Sequence, residues 1–183
     1  MAINFTSLGG EVSTPTEVTP TQSGISLNLE KNTVLDLAKA APSLNNVDLC
    51  AGWDIAVSGV DFDLDISVFL LNEAGKITSA SDVVFYNNPV ANGIQLNGDN
   101  RTGAGEGDDE TITLNLQAVS PTVNKIVCAV TIDQAVARRQ TFGMVNNSYV
   151  RLVNKDTGSE LCKFQLKDDY STDTAVVFAE LVR

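Results

Sequence analysis

This sequence predicts an all-β fold: two antiparallel sheets packed as a sandwich, with one or two short helices. Three observations lead there. Short stretches alternate apolar and polar residues with period 2, Gly, Asn and Pro punctuate them, and apolar spacing at the helical period is scarce. With 43% hydrophobic residues in 183, there is enough apolar material for one core.

Residues 1–24 carry five Thr, two Pro and three Gly among few apolar side chains. Such a segment buries too little surface to offset its ordering entropy, so 1–24 is expected to be a flexible Thr/Pro-rich tail, with a weak strand signal at Ile3 to Phe5. The folded domain is expected over 25–183. Alternation begins there, with Ile25, Leu27 and Leu29 set against Ser26, Asn28 and Glu30.

Further strands are expected over 48–57, 62–71, 83–86, 111–116, 125–132, 149–154, 160–166 and 174–182, where Val, Ile, Thr and Phe are common. Asn154 to Gly158 has turn chemistry between two apolar flanks and predicts a hairpin. Asp133 is placed to cap a helix of about two turns reaching Thr141, and Ser81-Asp82 to open a short turn. Loops are expected at 72–82, 87–93 and 97–110.

Composition excludes much. There is no histidine, which removes Ser-His-Asp and Cys-His catalysis and imidazole-based metal sites. A net charge of −11 opposes binding to nucleic acid or anionic lipid. Cys50, Cys128 and Cys162 are odd in number, far apart and set in apolar stretches, so each is expected to be a buried free thiol. The alternative is a thiolate site that handles or reduces a metalloid directly. No signal peptide or membrane span is legible, which predicts a cytoplasmic protein without direct membrane insertion.

The acids are concentrated. DFDLD (61–65) and GDNRTGAGEGDDE (98–110) hold eight of the 23 acids in 18 positions, opposed only by Arg101. On a strand, Asp61, Asp63 and Asp65 would share one face, about 6.6 Å apart in succession, which favours two ions or one ion with a bulge. The second segment fits an EF-hand loop only in part, because Arg101 takes an acceptor place and Ala104 the place of the required Gly. Its glycines still let the backbone wrap, and its carboxylates are hard oxygen donors that select Ca²⁺ or Mg²⁺ over zinc or copper.

These segments, with GWD (52–54), VFYNN (84–88), KIVCAVTI (125–132), ARRQTFGMVNNSYVRLVNKDTGSEL (137–161) and STDTAVVFAELVR (171–183), resemble in order the pattern of the TerD family. The resemblance covers nearly all of 25–183. It implies a cytoplasmic, non-enzymatic β-sandwich that binds calcium, usually two ions. It also implies a stress-response role in resistance to tellurium oxyanions, phage and colicins, with partners among other proteins of the tellurite-resistance system, some of them membrane-associated. Carried over by position, the acidic signature falls on Asp61, Asp63, Asp65, Asp99, Asn100, Glu106, Asp108, Asp109 and Glu110, and Gly103 belongs to the same loop. Trp53 and Tyr86 are expected to pack in the core.

Overall fold

The computed structural model describes residues 41–55 and 61–183, and the backbone alone of 2–4, 16–18, 27–28, 33–36 and 168–169. The strands in chain order are β1 (Ala2–Asn4), β2 (Thr16–Val18), β3 (Leu27–Asn28), β4 (Thr33–Asp36), β5 (Asn46–Gly52), β6 (Leu64–Leu71), β7 (Val83–Val84), β8 (Val90–Ala91), β9 (Ile94–Leu96), β10 (Glu110–Asn115) and β11 (Lys125–Ile132). A four-residue helix, α1 (Ala135–Arg138), precedes β12 (Tyr149–Asn154) and β13 (Ser159–Gln165); α2 (Leu166–Asp169) and β14 (Ala175–Val182) complete the order.

Two sheets form, ordered β2-β4-β1-β14-β11-β6-β7 and β3-β13-β12-β5-β10-β9-β8. Apart from the parallel pairs β2–β4 and β13–β3, neighbours run antiparallel. One contiguous apolar cluster lies between the sheets. Leu64, Ile66, Val68 and Leu70 of β6 meet Leu49 of β5, Ile112 and Leu114 of β10 and Ile126 of β11, all at most 1% exposed. The alternation read from the sequence is therefore the inward face of each strand. Among the described residues no helix is long and apolar enough to cross a membrane.

Of the stretch expected to be a tail, Ala2–Asn4 runs beside β14 and β4, and Thr16–Val18 beside β4; the rest of 1–24 lies outside the described residues. The hairpin at 154–158 forms between β12 and β13. The expected loop at 87–93 instead contributes β8, which turns back on β9 through Asn92 and Gly93, at φ of 43° and 80°. That Asn-Gly pair is a hairpin signal in its own right. The two-turn helix expected from Asp133 shrinks to α1: Gln134 occupies the N-cap with φ of 50°, and no side chain caps the helix.

Candidate metal centre

Where β6 begins, its outer edge is open. The neighbouring β7 pairs only with Val68 and Phe69, so the backbone N–H of Ile66 has no ladder partner on that side. Glu110, the first residue of β10 in the opposite sheet, supplies one: its Oε2 accepts from Ile66 N–H at 2.8 Å. Glu110 is only 2% exposed, and its other oxygen, Oε1, is buried without a hydrogen-bond partner. A buried carboxylate in that state is expensive while charged. Burial first, and then the neighbouring Asp65, Asp99 and Asp63, push its pKa up to about 8.

Asp63 and Asp65 flank Leu64 at the start of the same strand. Leu64 points into the core at 0% exposed, so both acids turn to the other side, yet they too are covered, at 5% and 8%. The ladder between β6 and β11 runs on past Leu64, because Asp133 N–H donates to the Asp63 carbonyl at 2.8 Å, and this sets Asp133 alongside. The acidic loop brings Asp99 across from the other direction. Carboxylate oxygens of Asp63, Asp65 and Asp99 lie within 4.8 Å of one another. They line a cleft of about 280 Å³ together with Tyr86, Arg101, Asp133 and Gln134.

The electrostatics match that crowding. Burial, then Asp63, Asp133 and Asp99, push the Asp65 carboxyl up to about 7. Burial also raises Asp63, against the pull of Arg101, whose Nε approaches Asp63 Oδ2 at 3.3 Å. Asp63 Oδ1 is buried without a partner.

The other acids of the signature have different duties. Asp108 takes a two-pronged contact from Arg151, Nε to Oδ1 at 2.8 Å and Nη2 to Oδ2 at 2.7 Å, and a third bond from Tyr149 Oη at 3.0 Å. Burial opposes its charge, but these donors hold its pKa below the usual carboxylate range. Asp109 Oδ2 accepts from the backbone N–H of Trp53 at 2.8 Å, and its Oδ1 from Asn100 Nδ2 at 2.7 Å. Asn100 braces the loop further, since its Oδ1 accepts from Thr102 and Gly103 N–H. Gly103 has φ of +68°, and a Cβ there would stand 2.6 Å from the Trp53 indole, so the loop requires glycine at that point. Asp61 and Glu106 are exposed.

The nine signature residues and Gly103 therefore divide. Asp63, Asp65 and Asp99 converge, with Glu110 behind them. Asn100, Gly103, Asp108 and Asp109 shape and anchor the loop, and Asp61 and Glu106 stand apart. Straight-strand spacing misleads for Asp63 and Asp65: β6 starts only at Leu64, with Asp63 outside it, and the side-chain oxygens of the two acids come within 4.8 Å of each other. Sequence reasoning missed Asp133 and Gln134 as cleft residues. Their signal lay in the register, one and two places beyond the end of β11.

Trp53 is 3% exposed and donates its indole N–H to the Phe62 carbonyl, as a core residue does. Tyr86 departs from expectation. It is 49% exposed, stacked edge-on against Phe85 at the rim of the cleft, because β7 ends at Val84 and the chain turns outward.

The three thiols are free and buried, each at most 2% exposed. Burial pushes Cys50 and Cys162 up to about 12 and Cys128 further still, leaving little thiolate to attack a metalloid.

The sequence model of the TerD domain matches residues 25–183. "Tellurium resistance protein TerD" of Serratia marcescens is 47% identical over 162 residues, covering 87% of this chain and 84% of that protein. "General stress protein 16U" of Bacillus subtilis is 46% identical over 163 residues, with 87% and 84% covered. Among solved structures, a Streptomyces coelicolor protein described as a homologue of telluride resistance protein (TerD) superposes with a TM-score of 0.65 at 25% identity, covering 77% of this chain and 82% of that one. The chain belongs to the TerD family.

Proposed function

We propose that this protein is a calcium-binding, non-catalytic stress-response protein that acts in resistance to tellurium oxyanions, in the cytoplasm, through protein partners of the same resistance system. The observation that carries the metal assignment is the convergence of Asp63, Asp65 and Asp99, together with two buried carboxylate oxygens that have no hydrogen-bond partner: Asp63 Oδ1 and, on a residue whose charge is felt by all three, Glu110 Oε1. Buried polar atoms are nearly always satisfied, so two orphans beside one acidic cleft favour a cation there.

The donor set fits a hard divalent ion: all carboxylate, with no thiol or imidazole in it. Asp63, Asp65 and Asp99 would hold the ion, with Glu110 as the buried charge behind them. The ion supplies positive charge to a region that otherwise concentrates negative charge. The chain's own residues supply the placement. Arg151 and Tyr149 anchor Asp108, the Trp53 N–H anchors Asp109, and between them they fix the loop that delivers Asp99. Among the described residues Asp63, Asp65 and Asp99 form one convergent set of carboxylates, and one ion would sit there.

The stress-response part rests on the relatives named for tellurium resistance and general stress. A non-catalytic role is supported by the lack of histidine and by three buried thiols with raised pKa. Thermal melts in chelator, millimolar calcium and millimolar magnesium test the metal assignment. Calcium should raise the midpoint by more than magnesium does, and three coincident curves would refute it.

A further inference from the structure

Arg101 sits two residues after Asp99, on the same loop, and is the one cation lining the cleft among the described residues. Around the cleft it faces Asp63, Asp65, Asp99 and Asp133. Its side chain is 67% exposed, and it touches Asp63 through Nε alone, at 3.3 Å. That is long for a charge-assisted hydrogen bond, which closes to about 2.7–2.9 Å. Arg151 in the same protein shows the contrast, with two short prongs on Asp108 and a third bond to Glu160 at 2.9 Å. One arginine is locked, and the other is loosely held over the acids of the cleft.

Resting on the metal reading above, we infer that Arg101 is a displaceable internal counter-ion of the centre. Without a divalent ion its guanidinium partly neutralises Asp63. When the ion arrives, Asp63 exchanges the guanidinium for it, and the exposed side chain swings into solvent at little cost. Two consequences follow for binding. A positive charge beside the site lowers the affinity for any cation, so Arg101 sets the working affinity. It also screens against monovalent ions, because a tethered guanidinium has a high effective concentration and a single charge gains little by replacing it. A divalent ion gains from the double charge.

The test is a calorimetric calcium titration of the full chain at low salt and again in 0.5 M potassium chloride, as wild type, Arg101→Gln and Arg101→Lys. Arg101→Gln should bind calcium about five- to tenfold more tightly at low salt, the scale of a partly exposed charge interaction with a doubly charged ion. Its affinity should also fall more steeply in potassium chloride, because potassium now competes. Arg101→Lys, which keeps the charge, should stay within about twofold of wild type. In chelator, Arg101→Gln should melt below wild type, having lost the charge that offsets Asp63. Wild type that binds calcium beside an Arg101→Gln variant of equal or weaker affinity would overturn the counter-ion role and leave the metal centre standing. Absence of calcium heat from all three proteins would overturn the metal reading, and this inference with it.

Discussion

Asp108 and Glu110 are two residues apart on the chain and occupy opposite electrostatic circumstances. Asp108 is only partly buried, and a guanidinium fork and a phenol hydroxyl satisfy both its oxygens, so its pKa is held low. Glu110 is 2% exposed, has one backbone N–H for one oxygen and nothing for the other, and its pKa is pushed up to about 8. In hydrogen bonding alone the same contrast separates Asp109, with its two donors, from Asp63, with an orphan Oδ1; burial raises the pKa of both. Counting acids in a loop cannot distinguish an anchor from a ligand. Which oxygens already have donors helps to, because a carboxylate already neutralised by a guanidinium gains less from an ion, whereas an orphaned one is costly until a proton or a cation reaches it.

The largest effect should come from the unsatisfied side of that divide. Ligand that binds only the folded state adds about 4 kcal/mol at a thousandfold excess over Kd, which is about 8–16 °C for a domain of this size. Glu110→Gln keeps an acceptor for the Ile66 N–H and removes the charge. It should lose most of the calcium-dependent rise while melting at or above wild type in chelator. A full calcium response in Glu110→Gln would erase the contrast with Asp108.

On the anchored side, Arg151→Met should cost about 2 kcal/mol in chelator and at least as much in calcium, since hydrogen bonds to charged groups contribute about 1.5–3 kcal/mol each and this pair is partly exposed. Chemical denaturation with and without calcium reads it. A loss confined to the calcium-loaded protein would move Asp108 to the ligand side.

A pH series sharpens the comparison further. Burial pushes the Asp65 carboxyl up to about 7 and that of Glu110 up to about 8, from the 3.8 and 4.5 of free carboxyls. The folded state therefore binds more protons than the unfolded one between those limits, and the stability of the ion-free protein should fall as pH rises from about 4 to about 8. Calcium takes the place of the protons, so the calcium-loaded protein should show a flatter curve over that range. Ion-free stability that climbs between pH 5 and 8 would contradict the account.

The smallest expected change is a near-absence of reaction. Cys128 lies in β11, which is paired on both sides, and is 0% exposed. Native protein should label slowly with a thiol reagent and unfolded protein fast. Rapid native labelling would restore the cysteine-based alternative.

Much of this was legible in the sequence. The boundaries expected for β11 and β12 agree with the structure to the residue, because both are strongly patterned between clear turns. Both acidic segments were visible as places where charge concentrates, and the buried cysteines followed from their apolar flanks. What pattern could not supply was the partner of each acid. Arg151 is more than 40 residues from Asp108 in sequence, and Ile66 is 44 from Glu110; only the two-sheet topology brings them together. Tyr86 was misread for a related reason. Its aromatic bulk suggested core, but the end of β7 decides which way the chain turns.

Calcium should bind where Asp63, Asp65 and Asp99 meet rather than anywhere acidic on the surface. Calorimetric titration of Asp65→Asn beside Glu106→Gln and wild type addresses it most directly, since Glu106 is an exposed acid of the same loop. Wild type should give saturable calcium heat, Glu106→Gln an affinity within about twofold of it as expected for a screened surface charge, and Asp65→Asn no measurable binding. Equal titrations of Asp65→Asn and wild type, or loss in Glu106→Gln alone, would contradict it.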